Sequence, residues 1–512
     1  MFNWQHYSKT LPVGQFIVLN LALGFGHFMA VLSAGAFLPM LPYVAHTIER
    51  SIGFTVWGQS NYLAAMGLAF LIARPLMIRY GARNTAIAAY LLFALSCCDV
   101  LLSTPHYSSF VVARTLQGFA AGLSITPSLF LLLEHYQPIK QKFAIALWSL
   151  AAFTPFSVGP ALGGYFAHVV GDWRILFVVF LVLSLLVAAV IWALTDRTVN
   201  QKDHAYPIYR HLLVFICLSI AILAFQSFFN VGIISLFNSH HFYFWLFSGI
   251  FLIAIVVVWF TNRLKTYPLL ELSLFKYKNY SYGFILTCLA FMCIQGSIVQ
   301  YIIRMQTVEG FSAWQVGTLF LPIFLFSKPL SIYTQHLIHR GTDPRLLASI
   351  SFVGFAVSFW LISNYTLPTS WVNLLWPQFL EGAALGIFFI SMNSLTLGSV
   401  PQKLQLPAVD KLNAFRTISA GLAIAFTDIF WDMNAHHVQQ TLLATYSNQL
   451  LTPQLLQHIE VQSGRITFST TFQLLAIAFM LFAIVVWFAG ESHFTRRIKK
   501  RDFIVESLGE EP

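Results

Sequence analysis

Polar and apolar positions alternate along this chain on a coarse scale. Apolar runs of about 20 residues or more follow one another from about residue 15 to residue 490, parted by short segments rich in Lys, Arg, Gly, Pro and Asn. About 20 apolar residues is the length at which an α-helix crosses the hydrocarbon of a bilayer, whereas membrane strands read as ~10-residue alternating segments. The pattern predicts fourteen helices, at about 15–46, 54–78, 85–103, 107–133, 143–168, 174–195, 210–229, 241–261, 281–303, 313–334, 345–364, 371–397, 412–431 and 468–490. The first holds Pro39 and Pro42, so its outer end is expected to kink or unwind. Two connections are longer: 262–280, and the polar, Gln-rich stretch 432–467, read as an outer loop with a short helix around 438–450.

Charge placement orients these spans. With the N-terminus in the cytoplasm, 21 of the 29 Lys and Arg fall in cytoplasmic segments, including Arg79 and Arg83, Lys140 and Lys142, and the cluster Arg496, Arg497, Lys499, Lys500 and Arg501. Arg50, Arg174, Arg304 and Arg465 fall outside, and Arg74, Arg114, Lys328 and Arg416 within spans. This bias fits an even number of helices with both termini cytoplasmic. It also accounts for the net charge of +10 without a nucleic-acid partner, since the basic residues face the cytoplasmic leaflet. The composition, 57% hydrophobic and 9% charged, is far from the ~25% charged of a soluble domain, so soluble enzymes and disordered chains are excluded. The five cysteines lie in apolar runs and imply no disulfide framework. Lys9 precedes an apolar stretch too long for a cleaved leader, which reads as the first span. The phosphate-binding loop G-x-x-x-x-G-K-[ST] is missing, so a transporter of this composition draws on an ion gradient.

Ionisable groups inside a bilayer are costly and mark function by default. Arg114, in VVARTLQGFAAG, shares a helix face with Gln117, Gly118 and Gly122. It reads either as a coupling residue or as a tie between helices. Glu381, near the middle of the twelfth span with Gln378 one turn earlier, reads as a proton-exchanging acid or as a protonated interhelical hydrogen-bond donor. Asp99 is a further proton-coupling candidate that could instead pair with Arg114, and His27, Gln117, Gln378 and Arg416 are candidates for a substrate cavity. Adjacent His240 and His241, and His436 and His437, point apart on a helix and do not make a metal site; no cofactor is expected. The 50 phenylalanines read as mostly lipid-facing bulk. A membrane-embedded enzyme would need His, Asp or Ser groups clustered at one depth, and a channel a pore loop or a ring of like charges; neither pattern stands out.

The fifth span reads FTPFSVGPALGGYFAHVVGDW, followed by R-I-L-F: Gly159, Pro160, Gly163 and Gly164, then Asp172, Trp173, Arg174 and Phe177. Small residues four apart let helices approach closely. These residues, with R-x-x-x-G at Arg114 and Gly118 and LNAFRTISAG around Arg416, resemble the major facilitator superfamily, specifically its 14-span drug:proton antiporters of the EmrB/QacA type. The resemblance implies two six-helix bundles, 1–195 and 281–490, two extra helices within 196–280 and a basic cytoplasmic tail, 491–512. It implies an exporter of drugs or other amphipathic small molecules, driven by protons through alternating access, in a bacterial inner membrane. The 432–467 stretch resembles the outer loop of exporters that pair with a periplasmic adaptor and an outer-membrane channel. Arg79, Gly81 and Arg83 match the gate loop after the second span, but Ile78 stands at that loop's acidic position and Arg74 at its first glycine. Ser33 stands where many members carry an aspartate in the first span. Those departures leave open the export or import of an endogenous metabolite or siderophore instead.

Overall fold

The computed structural model describes residues 11–102, 107–136, 140–141, 144, 148, 157–196, 208–235, 241–262, 269–364, 370–446 and 452–490. Among them there is no strand. Within hydrocarbon every backbone N–H and C=O needs a partner in its own segment, and a helix supplies one. The helices are α1 Val13–Thr47, α2 Ile52–Tyr80, α3 Ala82–Leu102 and α4 Tyr107–Glu134. Next come α5, 157–164, which passes into a π-turn at Tyr165–Val169, then α6 Arg174–Leu194, α7 Ile208–Ser235 and α8 His241–Asn262. The remainder are α9 Lys278–Thr307, α10 Ala313–Thr318, α11 Leu321–His339, α12 Pro344–Ser363, α13 Leu375–Leu397, α14 Gln402–Thr445 and α15 Pro453–Val485. Among the described residues ten helices are long and apolar enough to cross a membrane, α10 and α11 counting together as Ala313–His339. α7 and α8 are also apolar and are 28 and 22 residues long. The protein is thus an all-α, multi-pass membrane protein.

Three details differ from the pattern reading. α1 does not unwind at Pro39 and Pro42: the helix continues to Thr47. Proline's fixed φ suits a helix, and Met29 to Leu41 are all buried, so packing outweighs the missing donors. The tenth span is interrupted at 319–320, just ahead of Pro322, which offers no N–H to the Thr318 carbonyl. The stretch 432–467 is largely helix: α14 is 44 residues long and carries on to Thr445, and α15 begins at Pro453. Neither Gly nor Pro interrupts 422–452, and Thr441 and Thr445 bond back to the carbonyls one turn earlier, so the polar stretch sustains a helix. Thr452 caps α15 by accepting from the Leu455 N–H at 3.3 Å. The expected start of the fifth span, 143–156, lies mostly outside the described residues.

Contacts divide the chain into two units. The first comprises Met1–Leu270, Phe311–Thr318 and Asn413–Ile429. In it α2 and α3 flank α4, α6 lies on α3, and the interfaces are built on Ala, Gly and Ser, while α6 turns Val178, Val182, Leu185 and Leu186 outward. Large apolar side chains outside and small ones inside are what a lipid solvent selects. The second unit comprises Glu271–Gly310, Leu319–Leu412 and Phe430–Pro512, with α13 between α11 and α12 and α15 on α12. Its core is aromatic: Phe352, Phe355, Phe359 and Phe479 are fully buried, and the rings of Phe355 and Phe479 lie 4.9 Å apart. These phenylalanines are interior packing, not lipid-facing bulk. Arg465 of α15 holds the buried Glu309, just past α9, through two bonds of 2.9 and 3.0 Å.

Candidate functional site

Arg114 is completely buried in the first unit. The sequence places it there through the glycines that follow it. A Cβ on Gly118 would lie 2.1 Å from the Tyr62 carbonyl oxygen, so α4 and α2 meet backbone to backbone and Arg114, one turn earlier, faces α2. Its Nη2 donates to Gln59 Oε1 at 2.9 Å, and its Nη1 to Ser33 Oγ at 3.3 Å and to Gln117 Oε1. The guanidinium carbon stands 4.1 Å from the Phe37 ring centroid and 4.4 Å from that of Tyr62. Ring faces attract a cation, more so when desolvated. The surroundings are themselves tied down: Gln59 donates to Ala34 O at 2.8 Å, Tyr62 to Ala30 O at 2.6 Å, and Gln117 to Cys97 Sγ at 3.1 Å. Among the described residues the cation is therefore held by neutral acceptors and π-faces, with no carboxylate bonded to it. Asp99 accepts from Ser109 at 3.0 Å and makes no ion pair with Arg114.

The helix-five glycines serve as contact points. A Cβ on Gly163 would lie 1.8 Å from Ala36 O of α1, and one on Gly164 would lie 2.2 Å from Ala313 O of α10. Gly317 of α10 returns the contact, its Cβ position falling 2.2 Å from Pro160 O. Residues 311–318 are drawn into the first unit in this way. Just ahead of α6 Asp172 accepts from the Arg174 N–H at 2.9 Å, and Trp173 Nε1 donates to Thr47 Oγ1 at 3.2 Å, joining the start of α6 to the end of α1. Phe177 then reaches the Arg114 site, 5.9 Å from the guanidinium. At the turn after α2 Gly81 ends the helix with φ of 85°, a conformation costly for any other residue, and Arg83 donates to the Trp192 carbonyl.

The other candidates lie elsewhere. His27 is buried with its ring stacked on Trp148 at 4.2 Å. Arg416 is on α14 within the first unit. Glu381 and Gln378 lie on α13 of the second unit, both buried. Neither a hydrogen bond nor an ion pair reaches the Glu381 carboxyl among the described residues, and Gln378 Oε1 has no partner. Pattern reading missed Gln59, Tyr62 and Phe37. The run Gln59, Ser60, Asn61 inside an otherwise apolar helix was the available signal, whereas nothing distinguishes Phe37 among 50 phenylalanines.

The family profile of the Major Facilitator Superfamily matches residues 23–425. The chain is 26% identical to the multidrug export protein EmrB of Haemophilus influenzae, over 94% of this chain and 98% of that one. It is likewise 26% identical to the multidrug export protein EmrB of Escherichia coli, over 94% and 97% of the two chains. To the fatty acid resistance protein FarB of Neisseria gonorrhoeae it is 26% identical over 82% of each.

Proposed function

This chain belongs to the Major Facilitator Superfamily, and from that membership we propose that it is a proton-coupled exporter of amphipathic small molecules, working by alternating access across a bacterial inner membrane. In this reading it has fourteen spans: a six-helix bundle over 1–195, two extra helices within 196–280, a second bundle over 281–490 and a cytoplasmic tail, with both termini cytoplasmic. Rocking of two repeats about a midplane site is the general working principle of such carriers. The names of the relatives, which speak of multidrug export and fatty acid resistance, support a substrate with an apolar body and a polar end.

The observation that carries the reading is the buried Arg114 charge, held among the described residues by neutral groups alone. A purely structural cation in hydrocarbon is ordinarily paired, because an unpaired one is so costly. Its persistence without a carboxylate supports a role in which the charge itself is used. Glu381, a buried acid of the second unit with no ion-pair partner among the described residues, is then the proton carrier, and Arg114 supplies the fixed positive charge against which the cycle works. Asp99, bonded to Ser109, is a weaker proton site. The glycines of α5 permit the close helix approach that a rocking joint needs. The α14–α15 extension beyond the expected bilayer supplies the surface for a periplasmic adaptor.

The test is transport in proteoliposomes. Accumulation of a fluorescent lipophilic solute that follows an imposed proton gradient, and collapses with an uncoupler, is the expected result. Movement indifferent to the gradient would remove the coupling claim, and chemical alteration of the solute would remove transport as the activity.

A further inference from the structure

The extra helix α7 reads from sequence as an addition outside the two bundles, yet it carries a fully buried amide, Gln226. Gln226 Nε2 donates to Ser60 Oγ and, at 2.9 Å, to Asn61 Oδ1, both on α2. Ser60 Oγ in turn donates to the Gly421 carbonyl of α14 at 2.9 Å. A polar relay therefore crosses three helices that are far apart in sequence. The α2–α14 crossing beneath it is a backbone contact. A Cβ on Gly421 would fall 2.8 Å from Ser60 O, and one on Gly67 would fall 2.6 Å from Ala414 O. Below the relay, Val214 and Phe215 of α7 share an apolar cluster with Leu68 and Ile72 of α2 and Ala414 and Ile418 of α14. α7 thus covers this crossing with apolar side chains and closes it with an amide.

We propose that α7 is a clasp on the α2–α14 crossing, and that Gln226 is a positioning residue of the transport cycle acting through Ser60. A serine within a helix ordinarily returns its hydroxyl hydrogen to a carbonyl of its own preceding turn. The Gln226 N–H occupies a lone pair of Ser60 Oγ and so leaves the hydroxyl hydrogen to cross to Gly421 O. Removing the amide releases Ser60 to its own helix and withdraws the bond that holds α14 on α2. The inference rests on the alternating-access reading, in which α2 of the first bundle and α14 of the last part and close again in each cycle. The clasp favours the closed crossing, and the extra helix pair thereby sets how readily the carrier opens there.

The experiment uses the full chain with Cys98, Cys217, Cys288 and Cys293 changed to serine, the buried Cys97 kept because it accepts from Gln117, and the substitution Ala64→Cys, since Ala64 lies against Gly421 at the crossing. Alkylation by a membrane-impermeant maleimide from the outer side reports opening. In this parent the rate should change when substrate or a proton gradient is applied; a parent that never responds overturns the rocking reading and the clasp with it. In a responsive parent, Gln226→Leu, which keeps bulk and removes the donor, should raise alkylation roughly threefold to tenfold, the size of one or two neutral hydrogen bonds. Ser60→Ala should do the same, and the double variant no more than either, because both cut one relay. Unchanged alkylation in Gln226→Leu, or strictly additive effects, overturns the clasp while leaving alternating access intact. Should Gln226→Leu fail to insert, Ser60→Ala decides alone, and an unaltered rate there overturns the proposal.

Discussion

Arg114 and Gln59 meet through a 2.9 Å bond from Nη2 to Oε1, and the same Gln59 amide passes on to the Ala34 carbonyl through Nε2. One side chain thus orients the buried cation of α4 and fixes α2 on α1. The guanidinium is a planar fork, and here it reaches three neutral acceptors while facing two rings.

From this geometry Arg114→Lys is expected to fail although it keeps the charge. An ammonium cannot reproduce the fork or lie flat on Phe37 and Tyr62. Gln59→Leu removes one hydrogen bond to a charged group, a loss of about 1.5–3 kcal/mol, and should lower gradient-driven transport about 10- to 100-fold. Initial efflux rates from proteoliposomes at matched protein density check both. Wild-type rates in either variant would show that the charge is not held for use.

Gly163→Ala should abolish transport, because even a methyl group would lie 1.8 Å from Ala36 O. Gly249→Ala in α8 is the contrast, for among the described residues nothing lies within 4 Å of its Cβ position. That change should leave transport intact and stabilise the helix by about 0.5–1 kcal/mol, as alanine loses less backbone freedom than glycine. Thermal melting in detergent together with transport separates the two outcomes.

Glu381→Gln keeps the shape of the side chain and removes its proton exchange. Uphill, gradient-driven export should be lost while substrate binding and downhill exchange persist. Glu381→Asp should retain partial activity with a displaced pH optimum. Uphill export by Glu381→Gln at the wild-type rate from pH 6 to 8 would return the coupling role to Asp99.

Arg465→Gln leaves the carboxylate of Glu309, 4% exposed, without its bidentate partner. Because the Arg465 side chain is 34% exposed, solvent screens part of the pair, and a loss of about 1–2 kcal/mol is expected. The double change Arg465→Gln with Glu309→Gln should recover most of it, since no charge then stays buried. Melting temperatures of the three variants measure this.

The candidate site was legible in part. Arg114 announces itself because a charge in an apolar span has no inexpensive explanation, and Gly118 and Gly122 at helical spacing place it against a neighbouring helix. Its partners were harder to see. Ser33 was noted only for lacking a titratable proton, yet its hydroxyl accepts from Arg114, and Phe37 and Tyr62 carry no local mark of their role. The helix expected around 438–450 is present as far as Thr445, but it continues α14 rather than standing alone, and α15 begins at Pro453. Polarity by itself does not argue against a helix, whereas glycine or proline would.

What the sequence by itself determined is whatever rests on solvent and local geometry. Long apolar runs with few charges dictate membrane helices, because hydrocarbon leaves the backbone no other partners. Small residues four apart mark faces where helices meet, since no larger side chain permits the approach. Which faces meet is a different matter. That Gly163 finds Ala36, Gly164 finds Ala313 and Gln226 finds Ser60 was decided only in the tertiary structure. A helix face in lipid satisfies its own backbone and is nearly indifferent to its neighbours, so partner choice falls to steric fit and a few buried hydrogen bonds between residues far apart in the chain.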